Sequence, residues 1–253
     1  MHVTSETTAD GVVERHFTLG DITGVLWSPA AGTAGAPLLL SGHGDGMHKK
    51  APGLVAAALH GVTTHGFTVA AIDAPGHGDR PRNARDQQWV DAIHRARAAS
   101  EPIAPIVVDF NRSVAERAVP EWRATLDALQ ALPEIGPEAP VGYGGVMLGA
   151  VTGMLLAAAD SRIAALSLGA VFVDDALIEA GRKVTVPVEC WIPWDAEGID
   201  RAAAVSLFDA FESTDKTLHA YSGGHHQVPD PERTCSAPLF VRHLGRGAGP
   251  AAS

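Results

Sequence analysis

The chain has 253 residues, 46% hydrophobic and 19% charged, with a formal net charge of −10. That is ample material for one sizeable core and argues against disorder, and an acidic chain without a basic run excludes nucleic acid and anionic membranes as expected partners. Cys190 and Cys235 are too few for a disulfide framework, and no apolar run reaches the roughly 18 residues of a membrane helix, so reduced thiols and a cytoplasmic location are expected.

The opening MHVTSETTADG is polar and lacks the apolar centre of a signal peptide. VVERHFTL and ITGVLWSP, joined at Gly20 and Asp21, predict an antiparallel hairpin. APLLLSG (36–42) is apolar without alternation, the pattern of a strand buried on both faces. Residues 51–65 have helical spacing, and FTVAAIDAP (67–75) predicts the next buried strand. PEWRATLDALQAL predicts a helix opening at Pro120, where a first-turn proline forfeits no hydrogen bond. PVGYGG predicts a strand and residues 147–159 a small-residue helix. IAALSLGAV, VPVECWIPW and TLHAYSG predict three more strands, with helices near 174–181, 200–212 and 229–243.

This alternation predicts an α/β protein with a mostly parallel eight-stranded sheet and helices on both faces, in one domain over 1–253. Residues 80–119 break the rhythm. They are charged, carry Pro81, Pro102 and Pro105, and read as an insertion, either a small helical cap over a cleft or a surface excursion.

Ligands of such sheets sit beyond the carboxyl ends of the strands, and five loops there stand out. SGHGDGMHKK (41–50) is rich in glycine, which lets backbone N–H groups approach a ligand; His43 within it is a candidate substrate-binding residue or, alternatively, a buried, hydrogen-bonded histidine. DAPGHGDRPR (73–82) forms a rigid turn in which His77 reads as structural. In VGYGGVMLGA, residues Gly145 to Gly149 fit the frame Gly-x-Nuc-x-Gly, in which a sharp strand-to-helix turn presents a nucleophile, and the residue at its tip is Met147. In WIPWDAEGID, Asp195 follows a strand; it serves either a site or as a helix cap, a duty Asp200 could also take. YSGGHHQVP places His225, with His226 beside it, after the last strand.

Taken together, LLLSGHGDGMHKK, AIDAPGHGDR, AVPEWRATLDALQAL, VGYGGVMLGA and TLHAYSGGHHQVP resemble the dienelactone-hydrolase-like members of the α/β-hydrolase superfamily over nearly the whole chain. The resemblance implies the α/β-hydrolase fold and the chain order nucleophile, acid, histidine. It places Met147 where relatives carry serine, with Asp195 as acid and His225 as base. It also implies an oxyanion hole from the backbone N–H of Leu148 and one from Gly44 or Asp45. The chain departs from that pattern twice. Met147 has no proton to lose and cannot form an acyl-enzyme. An Asp45 carboxylate facing the hole would oppose the charge the hole stabilises.

Ser41, Cys190 and Ser222 are candidate substitute nucleophiles without the geometry of that turn, and Asp174 or Asp175 is an alternative acid. Two function classes follow. One is an enzyme acting on a small ester, lactone or polyketide-like carbonyl compound through a His225–Asp195 general base, with Trp191, Trp194 and Met147 as an apolar wall. The other is a hydrolase-fold binding protein without chemistry. No cofactor is expected, and no His or Cys spacing suggests a metal. The expected partner is a small-molecule substrate, and a homodimer is the assembly left open.

Overall fold

The computed structural model describes residues 1–33, 35–196, 198–224 and 236–247. Nine strands form one sheet: β1 (His2–Ala9), β2 (Val12–Leu19), β3 (Ile22–Pro29), β4 (Leu38–Gly42), β5 (Thr68–Ile72), β6 (Val141–Val146), β7 (Ile163–Gly169), β8 (Val188–Pro193) and β9 (Lys216–Tyr221). Their order is β1-β2-β3-β5-β4-β6-β7-β8-β9. The six strands from β5 to β9 in that order run parallel, and the first three add on antiparallel. Among the described residues the helices are α1 (Pro52–His65), α2 (Ala84–Ala98), α3 (Ala104–Gln130), α4 (Leu148–Ala159), α5 (Asp175–Gly181), α6 (Arg201–Ala210) and α7 (Ser236–Leu244).

The parallel strands read as apolar runs because both faces are covered. Leu38 and Leu40 of β4 and Leu166 and Leu168 of β7 pack under α3 and α4, with Leu126 and Met154. Val69 and Ala71 of β5 and Ala165 of β7 turn the other way, toward Val62 of α1 and Phe240 and Leu244 of α7. All five residues of β5 are buried.

Two sequence expectations change, and a third is described only in part. The sheet has nine strands rather than eight, because the polar opening segment pairs with β2 as an edge strand whose eight residues are all exposed. The signal was Asp10-Gly11, two positive-φ residues that close a two-residue hairpin turn. Pro120 does not open a helix but lies inside α3, which runs on from Ala104. Buried Val107, Phe110, Val114, Ala118, Trp122, Leu126 and Leu129 continue one helical stripe through the proline, and this packing outweighs the hydrogen bond the proline ring cannot give. Finally, the predicted helix at 229–243 is described only as α7, since 229–235 lies outside the described residues.

The segment 80–119 is helical. Asn83 caps α2 through a hydrogen bond from the Asp86 N–H (2.8 Å), and Arg117 of α3 grips the buried Asp86 at 2.8 and 3.0 Å. Arg80 makes a two-pronged contact with Glu121 at 2.6 and 2.7 Å. These ties hold α2 against α3 and bring Ile93, Ile103, Ala104, Val107 and Val108 into one apolar cluster with Met147, Ala170, Phe172, Ala196 and Ile199.

Candidate active site

The carboxyl ends of β4, β5, β6, β8 and β9 carry the five loops singled out in the sequence, the last of them described as far as Gly224. Met147 lies between β6 and α4 at φ 51° and ψ −115°, a conformation that L residues rarely adopt and that surrounding packing must impose. Small residues make the sharp turn feasible. A Cβ on Gly145 would lie 2.6 Å from the carbonyl carbon of Gly149, and one on Gly149 would lie 2.5 Å from the carbonyl oxygen of Gly42. The Met147 N–H donates to the Gly169 carbonyl (2.9 Å), and its own carbonyl starts α4 by accepting from Val151 (3.1 Å). The half-buried thioether packs in the apolar cluster built by α2, α3 and the loops after β7 and β8.

Asp45 follows β4. Both of its carboxylate oxygens are shut off from solvent and neither closes a hydrogen bond of normal geometry. The carboxylate lies close to the backbone N–H groups of Leu148 and Asp45 and to the Asn111 side chain of α3. Burial pushes its pKa up to about 6, against the pull of those donors and of the Arg97 charge. The carboxylate therefore stands beside the N–H that would serve as an oxyanion donor. Gly44, next to it, lies over Val146, where a Cβ would come within 3.5 Å of the valine methyl.

His43 has no ring nitrogen left for a ligand. Its Nε2 accepts from the Ala74 N–H (3.0 Å), which leaves Nδ1 to donate to the Gly44 carbonyl (2.9 Å). Burial pushes its pKa down to about 4, so it is neutral at pH 7 and ties the two loops together. His77 is buried beside it, with ring centroids 5.4 Å apart. Under these histidines, Asp73 accepts from the Lys49 N–H (2.8 Å), the Lys49 ammonium (2.6 Å) and the Thr23 hydroxyl (2.8 Å). Burial alone would raise that carboxyl, but the donors outweigh it and hold the pKa below the usual range.

Asp195 sits at the end of β8, exposed, and its backbone and side chain both hold Gly223. The Asp195 N–H donates to the Gly223 carbonyl (3.1 Å), and its Oδ2 accepts from the Gly223 N–H (2.8 Å). Asp200 caps α6 by accepting from Ala202 and Ala203, so that duty does not fall to Asp195. His225 and His226 lie outside the described residues. Trp194 is exposed beneath the Arg201 guanidinium, 5.1 Å from the ring centre. Trp191 is held in the sheet by its indole N–H on Ser167 Oγ (3.1 Å). The apolar cluster against which Met147 packs includes Val107, Ala170, Phe172 and Ile199, and Trp191 lines the neighbouring cavity together with Ala170 and Ile199.

The other candidates have separate structural roles or surroundings. Asp174 caps α5 (2.8 Å from the Leu177 N–H) and pairs with Arg112. Cys190 is buried in β8, which pushes its thiol pKa up and away from the reactive thiolate. Ser41 pairs in register with Gly144 within the sheet, and Ser222 is exposed after β9. Asn111 was not singled out from the sequence. A polar residue on an otherwise apolar stripe between Val107 and Val114 was the available signal.

The sheet order, its helical cover and the sharp turn after β6 define an α/β-hydrolase fold, and solved structures similar to this chain share it. The chain is similar to a cold-adapted esterase from an Arctic intertidal metagenomic library, with 27% identity over 95% of this chain and 98% of that one and a TM-score of 0.74. Likeness of fold extends to a dienelactone hydrolase from Anabaena variabilis (17% identity, 95% and 98% covered, TM-score 0.63). It also extends to the α/β hydrolase GrgF from Penicillium sp. sh18 (17%, 95% and 98%, TM-score 0.62). No protein-family model and no curated protein matches the chain.

Proposed function

We propose that the chain is a hydrolase-fold enzyme acting on a small ester, lactone or polyketide-like carbonyl compound without a covalent acyl intermediate. The observation that carries this reading is Met147 at the positive-φ turn between β6 and α4. A serine there would lose its proton to a base as it attacks; a thioether has none to lose, and its sulfonium leads to no acyl-enzyme. Chemistry then falls to proton transfer by His225, oriented by Asp195. The grip of Asp195 on Gly223, two residues before His225, supports that role, as does Asp200 in the cap. The outcome is water-mediated hydrolysis, or cofactor-free proton abstraction, cyclisation or lyase chemistry. Asp45 favours the second branch, because a carboxylate beside the Leu148 N–H opposes the charge of a tetrahedral oxyanion.

In this reading 80–119 caps the site, supported by the apolar cluster it forms over Met147. A second reading, a binding protein without chemistry, draws on the same Asp45 carboxylate, which would fill an unused hole.

Assays of p-nitrophenyl acetate and a lactone panel with wild type, Met147→Ser and His225→Ala separate the two. Turnover by wild type that drops about 10²-fold or more in His225→Ala is the expected result. Wild-type turnover unchanged in His225→Ala overturns the general-base reading. A silent wild type that gains esterase activity as Met147→Ser supports the binding protein.

A further inference from the structure

α4 begins at Leu148, and the N–H groups of a helix's first turn have no carbonyl to receive them within the helix. Such a place attracts negative charge. In this chain a side chain of its own occupies it. The Asp45 carboxylate lies against the Leu148 N–H, its own N–H and the Asn111 side chain of α3. Those two N–H groups are among the ones the resemblance assigns to an oxyanion hole. Both carboxylate oxygens are closed to solvent, and no hydrogen bond draws them anywhere else. The loop that carries Asp45 is fastened on either side of it. His43 bridges the Gly44 carbonyl and the Ala74 N–H, and Lys49 binds Asp73 through both its backbone N–H and its ammonium.

The geometry points to an anion site, built from the Leu148 and Asp45 N–H groups and flanked by Asn111, whose occupant is the Asp45 carboxylate itself. It is an autoinhibitory contact that keeps a substrate carbonyl oxygen, or a small free carboxylate, off those donors. An outside anion competes with a group tethered a few atoms from its site, whose effective concentration is high. The contact deepens the proposed function by closing its hydrolytic branch, which needs the donors for a tetrahedral oxygen. It rests on that reading only in taking the substrate to be a carbonyl compound.

The test reads anion binding, not turnover, so its failure leaves the roles of His225 and Asp195 untouched. Asp45→Ala leaves a space the size of formate beside the freed donors. At pH 7, about 0.1 M sodium formate is expected to raise the urea midpoint of Asp45→Ala by roughly 0.3 M relative to sodium chloride at the same ionic strength. The wild-type midpoint is expected to stay where it is. A second measurement needs no variant. In NMR spectra of wild type, the Leu148 amide proton is expected to move upfield as the carboxylate takes up its proton near pH 6, well above the range in which His43 titrates. A Leu148 amide that stays put between about pH 7 and pH 5 overturns the proposal. So does an equal formate effect on wild type and variant, or no effect on a folded Asp45→Ala.

Discussion

Met147, Asp45 and His43 lie within one small region, and each is set by its immediate surroundings. Burial raises the Asp45 pKa to about 6 and lowers that of His43 to about 4. Their effects on stability run in opposite directions. A His43 that stays neutral when folded stabilises the protein above pH 6.5, and that contribution is lost as pH falls toward 4. Asp45 holds its proton more tightly when folded, so its contribution is present below the ordinary value of 3.8 and is lost as pH rises through about 6. Each changes stability by about 1.4 kcal/mol per pH unit inside its window, so the two nearly cancel between them. Asp45→Asn removes one side of that balance. Its stability relative to wild type is expected to fall by roughly 3 kcal/mol between pH 6 and pH 4, measured by urea unfolding at each pH. A constant difference across that range would show that Asp45 has an ordinary pKa in the folded protein.

At the scale of elements, the approach of α4 to β4 and β6 decides whether the turn at Met147 can exist. Gly149 has no room for a side chain, and the obstruction is the Gly42 carbonyl, which cannot swing aside as a side-chain end would. Gly149→Ala must push helix from strand, and it is expected to lower stability by about 1–3 kcal/mol. It should also weaken ligand binding at the site; a variant as stable as wild type would show that the contact is looser than drawn. The long α3 belongs to this scale as well. Pro120 signals a helix start when read locally, yet the buried stripe from Val107 to Leu129 runs through it. Local propensity gave way to packing against α4, whose Met154 and Leu156 share the α3 core.

Across the whole molecule, the sheet continues outward to β1, an edge strand with no buried residue. Its pairing includes Glu6 opposite Arg15, joined by a 2.5 Å ion pair between exposed groups. Such pairs contribute little, and the ordering of eight exposed residues offsets much of the ladder's gain. Deletion of residues 1–9 is therefore expected to leave a cooperatively folded protein, less stable by no more than about 2 kcal/mol in urea unfolding. Loss of the cooperative transition would mean that β1 is integral to the core.

The sequence by itself determined the α/β alternation, the eight strands from β2 to β9 and the loops that meet at their carboxyl ends. Those features follow from continuous apolar runs, helical spacing and glycine-rich turns, all of which are short-range patterns. It also settled that Met147 cannot act as a serine does, because that is a property of the side chain. Only the tertiary structure decided that Pro120 lies within α3, that His43 is closed off by Gly44 and Ala74, and that Met147 packs with Phe172 and Val107. The pairing of Asp45 with Asn111 is of the same kind. The two residues are 66 positions apart, and no local pattern records that α3 brings a polar side chain to the loop after β4. Burial, and with it the raised pKa of the Asp45 carboxyl, depends on what folds over a residue from elsewhere in the chain.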